Sequence, residues 1–284
     1  MRKESPFKGF QRNITSQFGE DGIVGEIFSR ITTNDKICVE FGAWDGIHCS
    51  NTWNLWHNNN WEAILIEADE KKFIELTGNT KNFQNVKIVN KYVSSEGENR
   101  LDNILNKFRI PKDFDFLSID IDGDDYFILE SLKEFNPKLI VIEYNPTIPP
   151  QLSIIQKKGE YFGSSALAIH ELATKKGYKL IHVSDTNLFL IYEDYFPILK
   201  VDEQNLLEIF PMDYINYIFS SYDGDLFASN NFTYGIKKYT KNLFSFFNYR
   251  IQKEINLKEF PFEPDDKVHK IVINRQLKNN ASNI

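Results

Sequence analysis

The chain has 284 residues, ample for one large domain or for a domain with a smaller appendage. Hydrophobic residues make up 42% and charged residues 26%, the balance of a globular chain and not of a disordered one. The formal net charge of −7 argues against a general nucleic-acid binder, and two cysteines, Cys38 and Cys49, cannot build a disulfide framework.

No apolar run approaches about 18 residues, and Met1-Arg2-Lys3-Glu4 does not open a secretory signal, so a cytoplasmic protein without membrane insertion is expected. Along the chain, residues 16–30 place Ile23 and Ile27 at helical spacing. Lys36–Phe41 reads as a first strand, with Cys38 as a buried thiol, and the turn Gly42–Gly46 follows it. Ser50-Asn51-Thr52 is a plausible helix start. Strands are expected at Trp61–Glu67, Val86–Val93, Phe114–Ile121 and Lys138–Tyr144, and helices at Asp69–Leu76, Leu101–Phe108, Tyr126–Leu132 and Gly163–Lys176. These apolar strands alternating with helices over residues 36–144 predict an α/β domain with a mainly parallel sheet, both faces covered by helices. Tyr178–His182 and Asn187–Tyr192 are read as an antiparallel pair completing the sheet. A domain over residues 1–199 is expected, then a helical appendage over 200–284, aromatic around Phe244–Tyr249 and frayed at Lys278–Ile284. The appendage would serve as a substrate lid or an oligomer contact, and a homodimer is compatible with it.

Ligands of open α/β sheets bind beyond the carboxyl ends of the strands, and the polar residues collect there. The first strand ends in Glu40-Phe41-Gly42-Ala43-Trp44-Asp45-Gly46, where Gly42 lets backbone approach a ligand. The nicotinamide fingerprint G-x-G-x-x-G and the P-loop are both missing, which weakens a dehydrogenase reading. The pattern E-x-G-A-x-x-G resembles the first motif of class I methyltransferases. More closely, SQFGEDGIV, VEFGAWDGIHCSNT, FLSIDIDGDDYFILESL and VIEYNP resemble FkbM-type methyltransferases, over about residues 14–195. The resemblance implies a Rossmann-like fold, S-adenosylmethionine as cofactor, and a sugar or capsule-precursor acceptor in a bacterial polysaccharide pathway. It implies cofactor contacts from Gln17, Glu40, Gly42, Ala43, Asp45, Gly46, Glu67, Ala68, Val93 and Asp120, with the 40–46 loop under the methionine part and Glu67 on the ribose hydroxyls. The bland alternative is that Glu40 and Glu67 merely cap strands. A phosphoramidate acceptor, and a non-catalytic cofactor-binding assembly protein, stand as alternatives to sugar O-methylation.

Asp120, Asp122, Asp124 and Asp125 fall within six residues at the end of the fourth strand, and Glu143 ends the fifth. Clustered carboxylates repel one another unless a cation sits between them, and hard dications favour oxygen ligands. Asp120, Asp122 and Glu143 are therefore candidate ligands for Mg²⁺ or Mn²⁺. The bland alternative makes Asp124 or Asp125 a helix cap and Asp122 a turn residue. Methyl transfer needs the acceptor relieved of its proton. His48, Asp120 and Tyr144 are the candidates for that chemistry, with His48 equally read as a loop residue. Asn145, Tyr161 and Ser164 are candidates for binding the acceptor. His170 is read as structural, and His57, His182 and His269 have no supporting context. Ser16, Gln17, Glu20 and Asp21 are expected either to close over the cofactor or to start a solvated helix.

Overall fold

Unbroken runs of Ile, Val, Leu and Phe make strands that must be covered on both faces. In the computed structural model these are β1 (Ile37–Phe41), β2 (Glu62–Glu67), β4 (Phe116–Ile119) and β5 (Leu139–Glu143), whose residues are almost all buried. β3 (Val86–Asn90) is half-exposed at the edge. β6 (Tyr178–Val183) and β7 (Asn187–Tyr192) complete a seven-stranded sheet in the order β3-β2-β1-β4-β5-β7-β6. All strands from β1 to β5 pair in parallel, while β7 runs antiparallel to both β5 and β6, as the sequence predicts. The structure describes residues 3–220 except Asn34, together with Tyr222 and residues 226–228, 250–255 and 268–272.

The chain passes from β1 outward through β2 to β3, then crosses back so that β4 lies on the other side of β1. Strand order reverses between β1 and β4, which opens a crevice at their carboxyl ends. Helices cover the sheet: α1 (Glu20–Arg30), α2 (Glu70–Thr80), α3 (Leu101–Leu105), α4 (Asp125–Ser131) and α5 (Ala166–Lys175). α1 buries Ile23, Val24 and Ile27, the face its spacing predicts. Asp69 caps α2 through the Lys71 and Lys72 amides, and Ser165 caps α5 through the Ala168 amide. The expected helix after Thr52 is only one wide turn, Asn54–Asn58. Ser50 Oγ accepts the Thr52 and Trp53 amides at 3.2 and 3.0 Å, and both it and Thr52 Oγ1 donate to Glu40.

At the opposite edge, Asp115 and Lys138 form a buried pair at 2.6 Å, and Asp115 also accepts the Ile37 amide at 3.0 Å. One carboxylate thereby ties the starts of β1, β4 and β5. Burying two charges is tolerated only when both are hydrogen-bonded in this way.

The chain divides into two units, Met1–Pro211 and Met212–Ile284. The expected boundary at 199 moves because residues 200–211 pack on the first unit. Following α6 (Phe196–Leu199), they do so through α7 (Leu206–Ile209), the Gln204 amide on the Leu180 carbonyl and Phe210 against Tyr144. The expected helical appendage is corrected. The described parts of the second unit are strands: β8 (Ile218–Ser220), β9 (Leu226–Ala228), β10 (Arg250–Ile255) and β11 (Val268–Val272), in the antiparallel order β10-β11-β9-β8. Their short Ile, Val and Phe runs carry β preference, and loss of βα alternation is not by itself a helix signal. Phe244–Tyr249 and Lys278–Ile284 lie outside the described residues.

Candidate functional site

The 40–46 loop is fixed by backbone demands. Gly42 stands at φ +72°, and a Cβ there would lie 1.9 Å from the Asp120 carbonyl oxygen. Glycine is required on both counts. The Ala43 amide donates to the Ile66 carbonyl at 3.1 Å, and the Gly46 amide closes the turn on the Ala43 carbonyl. Asp45 accepts the Ile47 and His48 amides at 2.9 and 2.7 Å. It is a turn-forming side chain.

Glu40 is buried and accepts from Ser50 Oγ at 2.6 Å, Thr52 Oγ1 at 2.7 Å and the Asn51 amide at 2.8 Å. Burial pushes its carboxyl up, and those three donors pull it partly back. Glu67 receives the Trp44 amide on one oxygen and the Asp69 amide on the other, both at 2.7 Å. Each oxygen keeps a second lone pair, so Glu67 can hold the loop and still accept from a ligand. Ala68 follows it on the surface, and Val93 is buried beyond β3.

The carboxyl ends of β4 and β5 are built differently. Asp120, Asp122 and Glu143 each offer a carboxylate oxygen, and these oxygens lie within 4.8 Å of one another. The expected trio therefore does converge. Asp122 reaches it from a left-handed conformation, φ 57°, which Asp tolerates better than most residues. Burial, followed by the charges of Asp120, Asp125 and Asp122, pushes Glu143 up to about 10. Asp120 is also raised well above the ordinary range, by burial and then by Asp125 and Asp122. Glu143 therefore keeps its proton at neutral pH.

Asp125 does not cap α4 forward; it accepts the Ile121 and Gly123 amides at 3.0 and 2.9 Å and shapes the acidic loop from behind. Burial raises its carboxyl to about 6. Asp124 likewise makes no cap bond. It accepts Gln156 Nε2 and the Gly159 amide, both at 2.8 Å, and so draws residues 156–163 across the ends of β4 and β5.

Residues 57–180 match the family model of the methyltransferase FkbM domain. Over that stretch the chain is similar to the methyltransferase FkbM domain. The mostly parallel seven-stranded sheet with helices on its faces is a Rossmann-like α/β fold. Similar solved structures include three methyltransferases. A SAM-dependent methyltransferase from Aquifex aeolicus has 11% identity and TM-score 0.39, over 62% of this chain and 90% of that one. Precorrin-6y C5,15-methyltransferase from Geobacter metallireducens has 15% identity and TM-score 0.37, over 66% and 94%. An O-methyltransferase family protein from Burkholderia thailandensis has 10% identity and TM-score 0.41, over 61% and 54%. No curated protein matches the chain.

The 40–46 loop precedes the matched part of the FkbM domain, so its description rests on the geometry above. Other expected residues fall into place unevenly around the domain. Tyr144 is buried, and its hydroxyl donates to the Ser184 and Asp185 carbonyls at 2.9 and 3.1 Å. Successive strand residues point to opposite faces, so Glu143 reaches the cluster and Tyr144 turns into the core. The catalytic expectation for Tyr144 is corrected on that geometry.

His48 is exposed, and its ring packs edge-on to Trp44 at 5.2 Å. Asn145 is consumed as a staple: its amide group donates to the Phe162 carbonyl at 2.6 Å, and its oxygen takes Thr147 N and Oγ1. Ser164 is buried and accepts the Gln156 amide. Tyr161 alone of the three acceptor candidates is free to solvent, 90% exposed. The N-terminal strap crosses the same edge. Glu20 accepts from Ser184 Oγ at 2.8 Å and from the Phe18 amide at 2.7 Å, while Asp21 gathers the amides of Ile14, Thr15 and Ser16. Gln17 hydrogen-bonds the Cys49 thiol. Cys38 is a buried core thiol, as expected.

Sequence reasoning missed Gln156 altogether and gave Asp124 the wrong partner. A lone Gln in a loop carries no spacing signal. Among the described residues, no helix is long and apolar enough to cross a membrane.

Proposed function

We propose that this chain transfers a methyl group from S-adenosylmethionine to a hydroxyl of a sugar, carried on a nucleotide or on a capsule or polysaccharide precursor. The observation that carries the reading is the convergence of Asp120, Asp122 and Glu143 within 4.8 Å beside the Gly42 loop. The 40–46 loop would take the methionine part of the cofactor, with Glu67 on the ribose. The methyl carbon leaves the sulfonium, which keeps the C–S electron pair as S-adenosylhomocysteine, and forms a C–O bond to the acceptor. The acceptor proton must pass to a base. Asp120, beside the Gly42 loop, is the carboxylate candidate for that base. His48, just after the 40–46 loop, is the second candidate. Exposed Tyr161 and Phe162 offer aromatic faces of the kind that sugar rings stack on.

The acidic trio suits a hard dication, since it offers three oxygens and its mutual repulsion holds protons that a cation would displace. Asp120, Asp122 and Glu143 would hold Mg²⁺ or Mn²⁺, which would supply a lowered pKa at the acceptor hydroxyl.

The test is calorimetric binding of S-adenosylmethionine and S-adenosylhomocysteine to metal-stripped protein, repeated with Mg²⁺, with Mn²⁺ and with Glu67→Ala. Labelled methyl transfer to a panel of nucleotide sugars follows. Micromolar binding weakened in Glu67→Ala supports the cofactor reading, and separate Mn²⁺ binding supports the metal. Absence of cofactor binding in every condition overturns the proposal.

A further inference from the structure

Gln156 lies in the connection between β5 and α5 and is only 4% exposed. Both polar atoms of its side chain are engaged, as is its backbone amide. That amide donates to Ser164 Oγ at 3.2 Å. Its Nε2 donates to Asp124 Oδ1 at 2.8 Å, and its Oε1 accepts the Phe162 and Gly163 amides at 3.1 and 2.6 Å. Asp124 Oδ1 also takes the Gly159 amide, so one carboxylate and one amide side chain hold both ends of the 159–163 stretch. The two loops touch elsewhere: a Cβ on Gly123 would lie 2.8 Å from the Glu160 carbonyl oxygen.

The stretch so held carries Tyr161 and Phe162, 90% and 50% exposed. Rings pointing into solvent give a loop little burial to hold its shape. A buried primary amide is costly unless its hydrogen bonds are made, and an apolar side chain of equal length would fill the space at lower cost. The bonds therefore identify what Gln156 is for. We propose that Gln156 is a positioning residue that locks the Tyr161–Phe162 platform onto the acidic loop, at a set place over the Asp120, Asp122 and Glu143 cluster. The assignment of that platform to the acceptor rests on the function proposed above.

Three variants of the full chain test it by hydrogen exchange and S-adenosylhomocysteine calorimetry. Gln156→Met keeps length and removes the side-chain bonds. Gln156→Glu keeps the acceptor and sets a carboxylate against Asp124. Gln156→Glu combined with Asp124→Asn restores the side-chain donor–acceptor pair with its polarity reversed, but leaves the Gly159 amide, which shares Asp124 Oδ1 in the wild type, without that acceptor. Exchange over 159–163 is expected to rise about tenfold or more in both single variants, as expected when about 1.4 kcal/mol of hydrogen bonding is lost. The double variant should return the Phe162 and Gly163 amides to within about threefold of wild type while Gly159 stays fast, with exchange over α4 and S-adenosylhomocysteine affinity unchanged throughout. Unchanged exchange in Gln156→Met, failure of the double variant to restore protection at Phe162 and Gly163, or loosening that spreads through α4 each overturns the positioning role. A wild-type protein that binds no S-adenosylhomocysteine counts against the methyltransferase reading alone, because the exchange arms need no ligand.

Discussion

Two sets of carboxylates stand at the same edge of the sheet and behave in opposite ways. At the ends of β1 and β2, Glu40 and Glu67 are surrounded by protein donors, five in all across the two side chains. At the ends of β4 and β5, Asp120, Asp122 and Glu143 face one another. The residue types and the topological positions are alike; the supply of N–H and O–H groups differs. An acid satisfied by its own chain is an anchor, whereas acids that raise one another's proton affinity are held ready for a cation or for a proton from outside.

The two regions meet at Gly42, where the largest effect is expected. Gly42→Val drives a side chain into the Asp120 carbonyl and forces a β-branched residue to positive φ. Loss of S-adenosylhomocysteine binding by about a hundredfold or more in calorimetry is the expected result, since a misplacement of about 1 Å at a site costs that much. Retained affinity would mean that the crevice between β1 and β4 is not the cofactor site.

Next, one substitution applied to both regions should change sign. Glu40→Gln turns an NH₂ toward donors of the Ser50–Thr52 segment and is expected to cost about 1–3 kcal/mol, read by urea denaturation. Glu143→Gln removes a carboxyl that burial and its neighbours hold near 10. A carboxyl raised in the folded state above its ordinary 4.5 favours folding below 4.5, and that contribution is lost as pH rises to about 10. Wild-type stability should therefore fall with pH across that window. The Glu143→Gln variant carries no titrating group at that position, so its advantage grows toward alkaline pH, with a Tm gain of about 2–4 °C for each 1 kcal/mol. A lower Tm for Glu143→Gln at pH 8 would place Glu143 among the anchors. The smallest effect is expected at exposed Asp122. Asp122→Asn should leave Tm within about 1 °C, within the usual range of surface changes, while weakening Mn²⁺ binding.

Much of this arrangement is legible in the sequence. β1, β2, β4 and β5 are readable because buried parallel strands are unbroken apolar runs, and the Asp120–Asp122–Glu143 cluster because its acids sit at adjacent strand ends. The roles of Glu40 and Tyr144 are not, since the donors and acceptors that claim them, Ser50 to Thr52 and the Ser184–Asp185 carbonyls, come from distant turns. The β8–β11 strands escaped because short mixed runs such as Arg250–Ile255 show no clean period.

The contacts within the acceptor end have a consequence for how such chains diversify. Asp124, Gln156, Gly159 and Gly123 bind the 120–125 and 156–163 segments to each other, whereas the contact with the cofactor loop is a backbone carbonyl meeting a glycine. A carbonyl is the same in every sequence. Under the function proposed above, the two segments would be exchanged as one cassette, new acceptor chemistry grafted beside an unaltered 40–46 loop, provided that they travel together.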